Sequence, residues 1–380
     1  MRVLHVIPSL APCHGGPSVV LPVMERALTR EGVEVVTVTT DDDGPGRRNG
    51  LGDGEARSEN GVVRRYFRKQ TEFYKVSLPL AGWLRRHVRD FDVVHVHALF
   101  SHASVAACRA AAAAGVPYVI RPLGVLNQYG VRQRRAFMKR FCLRWIDGPL
   151  VRGAAAVHFT AEAEREEAEM LGIPLRSRVV PLGLEFSGIP EAGVAVEPVI
   201  LFLSRIDPVK NIETLLRAWA GVADVAEGWT LVVAGSGEAS YVASLQALAR
   251  ELGVGERTSW PGHVAGVAKS RLQRGAAVFV LPSFSENFGI AAAEALIAGR
   301  ACVFSPGVAL GAVAAKAGAA ILGGPDVDSL AAALRRLIHD AGARAELSRR
   351  AVDFAQAELS AEVMGRRLRG MYESILSGTP

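Results

Sequence analysis

The two halves of this 380-residue chain begin with the same building unit, and that repetition limits the fold more than any other feature. In the first half an apolar run at 3–7 leads through a Gly/Pro loop into a helical stretch at 18–30 and a second apolar run at 33–39. In the second half the run at 198–203 leads through a loop into a helical stretch at 212–220 and on to 229–234. Further runs follow at 92–97 and 277–281. Strands that stay apolar at successive positions are buried on both faces, and their alternation with helices indicates a parallel sheet. The pattern predicts an α/β chain of two Rossmann-like, doubly wound domains. The expected division is 1–185, 186–358 and a last helix over 359–380, whose apolar residues share one face and cross back to the first domain. The linker is expected within 182–198, where Gly, Pro and Glu dominate.

A chain of this length exceeds one ordinary core, and 49% hydrophobic residues suffice for two. The N-terminus reads as a short buried strand, without the basic region and long apolar core of a secretory leader. The longest apolar stretch, 103–120, carries Arg109 and is alanine-rich, so it reads as a helix plus a strand and not a membrane span. Cys13, Cys108, Cys142 and Cys302 form no Cys-x-x-Cys pair and no metal spacing with histidine, which suits reduced thiols in a cytoplasmic protein. Charge is uneven: residues 1–185 hold 26 Lys+Arg against 19 Asp+Glu, whereas 186–380 hold 18 against 19. Much of the excess lies in 121–152, with eight basic residues and the single acid Asp147.

Ligands of such folds bind at the carboxyl ends of the strands, and four loops there carry chemistry. After the first strand, Gly15 and Gly16 admit close backbone approach and Ser18 can cap the helix, although a Gly-Gly pair is also an ordinary tight turn. At the matching place in the second half, Arg205 and Lys210 bracket a turn, a guanidinium fork and a point charge suited to phosphate. A third loop, Gly235-Ser236-Gly237, resembles a phosphate turn but lacks the full glycine fingerprint. The fourth is the most informative. Glu286-Asn287-Phe288-Gly289-Ile290 follows an apolar strand and opens a helix that carries Glu294. Free N–H groups at a helix start attract anions. Two acceptor-only carboxylates beside them suit a ligand that is both polyhydroxylated and phosphorylated, the description of a nucleotide-sugar.

On these residues the second half resembles the donor domain of the retaining glycosyltransferases of family 4, which have the GT-B architecture of two Rossmann-like domains facing across a cleft. The Arg205/Lys210 loop, the Gly-Ser-Gly turn, Gly262-His263-Val264 and the Glu286–Glu294 segment occur in that family's order. The resemblance implies that Arg205 and Lys210 hold the donor diphosphate and that Glu286 contacts the sugar, as catalytic residues. It further implies that Gly15, Gly16, Gly235, His263, Val264, Asn287, Phe288, Gly289, Ile290 and Glu294 bind the donor, with Glu294 on the ribose. The first domain would then take the acceptor. One departure is plain: many relatives carry a histidine at the end of the strand read here at 118–120, and this chain has Arg121.

The resemblance implies hexosyl transfer from a UDP- or GDP-sugar to a saccharide or lipid-linked acceptor, in bacterial polysaccharide or glycoconjugate assembly. No metal or other cofactor is expected, because no Asp-x-Asp stands at a strand end and two fixed cations can meet the growing charge. Asp41-Asp42-Asp43 opens a Gly/Arg-rich loop and is expected to be solvated. Arg121, Asn127 and His97 are candidates for acceptor or phosphate contact, although His95 and His97 lie on an apolar strand as structural residues do. Residues 131–146 read as a basic amphipathic helix fit for an anionic membrane surface, or for a core with its cations outward. Nucleic acid is not expected, for want of a binding module or stacking platform. A nucleotide-sugar epimerase or hydrolase of the same architecture, and a non-catalytic nucleotide-binding module, are the competing readings.

Overall fold

The computed structural model of the chain describes residues 1–59, 61–126, 142–186 and 196–378. It divides into two compact units, Met1–Glu185 with Ala361–Pro380, and Phe186–Ser360. Among the described residues no helix is long and apolar enough to cross a membrane.

The sheet of the first unit contains β1 (Arg2–Val6), β2 (Glu34–Thr40), β3 (Asp53–Glu59), β4 (Val62–Phe67), β5 (Val93–His97), β6 (Tyr118–Arg121), β7 (Ala156–Phe159) and β8 (Ser177–Val179). Their order is β3-β4-β2-β1-β5-β6-β7-β8, parallel except for the β3–β4 hairpin. Period-2 alternation divides the two faces. Leu4, Val6, Val36, Val94, Val96, Ile120 and Val157 join one core with Leu80, Leu84, Ala103 and Ala107. Those four come from the helices Leu78–His87 and His102–Ala114.

On the alternate positions stand the fully buried His5, His95, His97 and His158. Over them lies the helix Ala361–Ser377, whose Tyr372 hydroxyl lies 2.7 Å from His95 Nδ1. That helix is anchored at its start, where Ala361 N donates to Leu184 O at 3.1 Å. It approaches the helix Gly16–Arg30 very closely: a Cβ on Gly365 would lie 2.8 Å from Ala27 O, so glycine is required.

The second unit contains β9 (Glu197–Leu203), β10 (Thr230–Ala234), β11 (Thr258–Gly262), β12 (Ala276–Leu281), β13 (Ala301–Phe304) and β14 (Ile321–Leu322). Their order, β11-β10-β9-β12-β13-β14, is all parallel and reverses between β9 and β12. Ile200, Leu201, Phe202, Val278, Phe279, Val280, Val303 and Phe304 are buried in its centre. Trp219 of the helix Ile212–Ala220 and Leu334 and Leu337 of the helix Val327–His339 are buried with them. A crevice outside the carboxyl ends of β9 and β12 is where this topology receives a ligand.

Candidate functional site

The loops that leave β9 and β12 lie side by side and are stitched through their backbones. Phe284 N donates to Val209 O at 2.8 Å, and the β12 loop is tied in turn to the loop after β13, where Glu286 N donates to Gly307 O at 2.8 Å. In the first loop the Asp207 carboxylate accepts from Val209 N at 3.1 Å and starts one tight turn, Pro208–Lys210. Asn211 ends the turn in the left-handed region with φ 57°, its side chain donating to Pro325 O at 3.0 Å. The turn drives Lys210 inward until it is only 5% exposed, and its Nζ donates to Glu286 Oε2 in a close ion pair. The sequence motifs thus meet in space: an enclosed ammonium touches a carboxylate that stays partly open to solvent. Arg205, at the start of the same loop, is exposed.

Beneath this loop runs the turn at 235–237, with Ile206 N donating to Ser236 O at 2.8 Å. Gly235 has φ 148°, and a Cβ there would lie 1.8 Å from Ser204 O. Gly235→Ala is therefore expected to cost about 1–3 kcal/mol, as overpacking does. A thermal midpoint lower by several degrees checks this, and an unchanged midpoint would mean that the loop moves aside freely.

Gly289, with φ 85°, opens the helix Ile290–Ile297. Phe288 is buried beside it, while Asn287 and Ile290 are half-buried. Glu294, one turn on, is held from both sides. Lys269 Nζ donates to Oε1 at 2.5 Å, and Gln273 Nε2 donates to Oε2 at 2.9 Å. Both donors belong to the helix Gly266–Gly275, which follows the exposed His263 and half-buried Val264 after β11. The sequence reading missed them; a Lys and a Gln four residues apart on the helix after the Gly-His-Val loop were the available signal.

In the first unit, Gly15 turns with φ 72° before the helix Gly16–Arg30. Beside that turn the expectation for Asp41-Asp42-Asp43 needs correction. Asp41 and Asp42 are buried, and Asp42 gathers two ammonium groups and an imidazole: Lys69 at 2.6 Å on Oδ1, with Lys75 at 2.5 Å and His14 at 2.8 Å on Oδ2. Burial alone would raise its pKa, but hydrogen bonds from Lys69, Lys75 and His14 outweigh that and hold Asp42 well below the usual carboxylate range. Nearby, Tyr74, Lys75, Ala98, Phe100 and Leu123 all take positive φ, a concentration of strain after β4, β5 and β6. The buried Asp147 ties two of these segments, accepting from Phe100 N at 3.0 Å and from the Tyr74 hydroxyl at 3.2 Å.

Two acceptor candidates are placed differently from the expectation. Arg121 is 4% exposed and His97 is fully enclosed, paired in register on β6 and β5, so neither is presented to solvent. Desolvation pushes Arg121 down to about 10 and, with the Arg121 charge beside it, lowers His5 to about 3. The imidazoles are neutral. Among the described residues His5, His95 and His97 are the group able to converge on a metal, with ligand atoms within 4.8 Å of one another, but the adjacent guanidinium opposes a cation. Asn127 and residues 131–141 of the basic stretch lie outside the described residues.

Comparison with known proteins agrees with both units. Residues 15–183 match the family described as glycosyl transferase 4-like domain, and 192–354 match glycosyl transferases group 1. A D-inositol 3-phosphate glycosyltransferase of Mycobacterium ulcerans is 34% identical over 160 residues, covering 41% of this chain. The aligned stretch spans about a third (34%) of that relative's own length. Among solved structures, sucrose-phosphate synthase from Thermosynechococcus elongatus superposes with a TM-score of 0.78 over the full length of both chains at 18% identity. Anabaena HepE in complex with UDP and glucose gives 0.75 over 98% of this chain and 100% of that one at 19% identity. At such identities the likeness speaks for the fold, which is GT-B.

Proposed function

The chain belongs to the GT-B glycosyltransferases of the family 4 type, and from that premise we propose that it moves a hexose from a nucleoside-diphosphate sugar to an acceptor hydroxyl with retention of configuration. The observation that carries this reading is the Lys210–Glu286 pair at the switch point of the second unit, which joins the loop that bears the exposed Arg205 to the segment that leads into the helix with Glu294. In this reading Phe186–Ser360 is the donor unit. Lys210 and Arg205 neutralise the diphosphate, Glu286 accepts hydrogen bonds from sugar hydroxyls, and amides at Asn287, Phe288 and Gly289 meet the anion at the helix start. Glu294 accepts from the ribose hydroxyls, and the backbone at His263 and Val264 borders the base. Gly15 and Gly16 take the role of a small, Cβ-free surface toward the phosphates.

No enzymatic nucleophile is needed. The acceptor oxygen attacks the anomeric carbon on the face that the leaving group departs, the carbon–oxygen bond to the diphosphate breaks, and the acceptor proton passes to the departing phosphate oxygen. Preorganised cations that meet charge as it forms supply most of the assistance, and fixed loops supply the alignment. No step calls for a metal.

The acceptor belongs to the first unit in this reading, and phosphate is its natural handle. Relatives and neighbours named for inositol 3-phosphate and sucrose-phosphate point the same way. The strained loops after β4 and β5 and the part-exposed Lys75 and His14 beside Gly15 offer cations and donors of the right kind. A lipid-linked saccharide phosphate would present the same group. Contact with an anionic membrane through 131–146 is part of the proposal, and Trp145, 62% exposed under the Arg144 guanidinium, is the amphipathic residue such a surface uses. The enzyme would then act at the cytoplasmic face.

Thermal stabilisation by UDP, GDP, ADP and their sugar conjugates tests the donor side. One nucleotide series should raise the midpoint, and by more at a thousandfold than at a hundredfold excess over Kd. Product analysis with sugar phosphates and lipid-linked acceptors then tests transfer. Release of free sugar, conversion of the donor alone, or binding without consumption would replace the transferase reading with hydrolysis, epimerisation or nucleotide sensing.

A further inference from the structure

Glu294 already has two partners before any ligand arrives. Lys269 Nζ occupies Oε1 at 2.5 Å and Gln273 Nε2 occupies Oε2 at 2.9 Å. A carboxylate offers about four lone-pair sites, so each oxygen keeps one acceptor direction free. Two free acceptor directions on one rigid plane match two neighbouring hydroxyls. The donors are themselves firmly placed. They stand four residues apart on one face of the helix Gly266–Gly275, and Gln273 is 7% exposed. The helix forms the crossover from β11 to β12 and packs against β9, β12 and the helix Ile290–Ile297. The Lys269–Glu294 ion pair by itself adds little to stability, since 28% and 20% of the two side chains stay open.

We propose that Lys269 and Gln273 are positioning residues that give the donor site its selectivity for a ribose, by presenting the two free acceptor directions of Glu294 to the 2′,3′-diol. The inference rests on the reading of Glu294 as the ribose acceptor. Its chemistry is local. Without Gln273 the carboxylate can rotate about its last bond, and without Lys269 it can swing toward solvent. In either case the diol meets an acceptor that must be reoriented at an entropic cost. One helix therefore sets both the loop at His263–Val264, at its start, and the orientation of the acid.

The full chain is titrated with UDP, GDP and ADP, each beside its 2′-deoxy counterpart, and the ribonucleotide that binds is carried forward. Wild type should prefer it over the deoxy form by about tenfold or more, the range for a hydrogen bond to a charged group. Lys269→Met and Gln273→Leu should each weaken ribonucleotide binding severalfold, draw the ribo/deoxy ratio toward one, and raise the donor KM while leaving kcat nearly unchanged. In a Glu294→Gln background neither change should have any further effect. A wild-type ratio in both variants overturns the inference, as does an effect that persists in the Glu294→Gln background, since the residue would then touch the nucleotide itself. Should Glu294→Gln alone leave affinity and ratio intact, the ribose reading beneath it fails instead. Lys269 is half-exposed, so Lys269→Met carries the test if Gln273→Leu does not fold.

Discussion

Lys210→Ala is expected to slow turnover by about a hundred- to thousand-fold, the usual consequence of deleting one preorganised charge-stabilising donor. The residue earns this expectation by its placement. It is enclosed in a capped turn, its ammonium is held by Glu286, and its loop is bonded to the loop after β12. A cation so fixed need not reorganise when negative charge moves onto the leaving diphosphate. The loss should fall mainly in kcat, because the interaction strengthens as the bond breaks. Glu286 keeps 24% of its side-chain surface open, so the carboxylate left behind can hydrate and the variant should fold. Arg205→Ala should lose a similar factor. Initial rates of nucleoside diphosphate release at saturating donor provide the measurement, and turnover within threefold of wild type would remove Lys210 from the mechanism.

The largest effect on stability is expected at Asp42. Its carboxylate holds Lys69, only 3% of whose side chain is open, together with Lys75 and His14. Asp42→Ala should destabilise the protein by about 3–5 kcal/mol, the range found when one partner of a buried pair is removed. The exposed Glu72, 2.6 Å from Lys69, retains part of the compensation and favours the lower end. The pH dependence has a definite sign. The folded pKa of Asp42 lies below its unfolded value, so its contribution is complete above that value and is lost as pH falls toward the folded one. Wild type should therefore lose stability below about pH 4. In Asp42→Asn the acid limb should be shallower. Denaturant midpoints between pH 2 and pH 7 would decide the matter, and parallel curves for the two proteins would exclude Asp42 as the titrating group.

The parallel strands were legible because fully buried strands write themselves as unbroken apolar runs. The helix Ile212–Ala220 was read residue for residue, and the stretch at 103–120 resolves into a helix and a strand as its alanine and β-branched composition suggested. The hairpin of β3 and β4 was not read. Residues of β3 are mostly exposed and polar, so no period of two shows in hydropathy. The burial of Asp42 was equally hidden, since its partners lie 27 and 33 positions away and only the fold brings them together. Arg121 was legible as a departure from the family's histidine. Its enclosure beside neutral imidazoles was not, because that depends on the covering helix at the far end of the chain. At the candidate site the loops announced themselves through Gly, Pro and charge at strand ends. The fixing of Glu294 by Lys269 and Gln273 needed the packing of two helices.

The helix Ala361–Ser377 also bears on how the molecule is made. The chain leaves the first unit after Glu185 and returns to it only at Ala361. During synthesis on the ribosome the row of imidazoles on β1, β5 and β7 therefore stays uncovered while some 175 further residues emerge. The unit begun last is the first whose segments are all present, and the unit begun first waits for its closing piece. A nascent chain arrested before this helix would leave open the apolar surface that Met364, Leu368 and Met371 cover, area of the kind that chaperones hold, and release from that hold would follow the arrival of a single amphipathic helix.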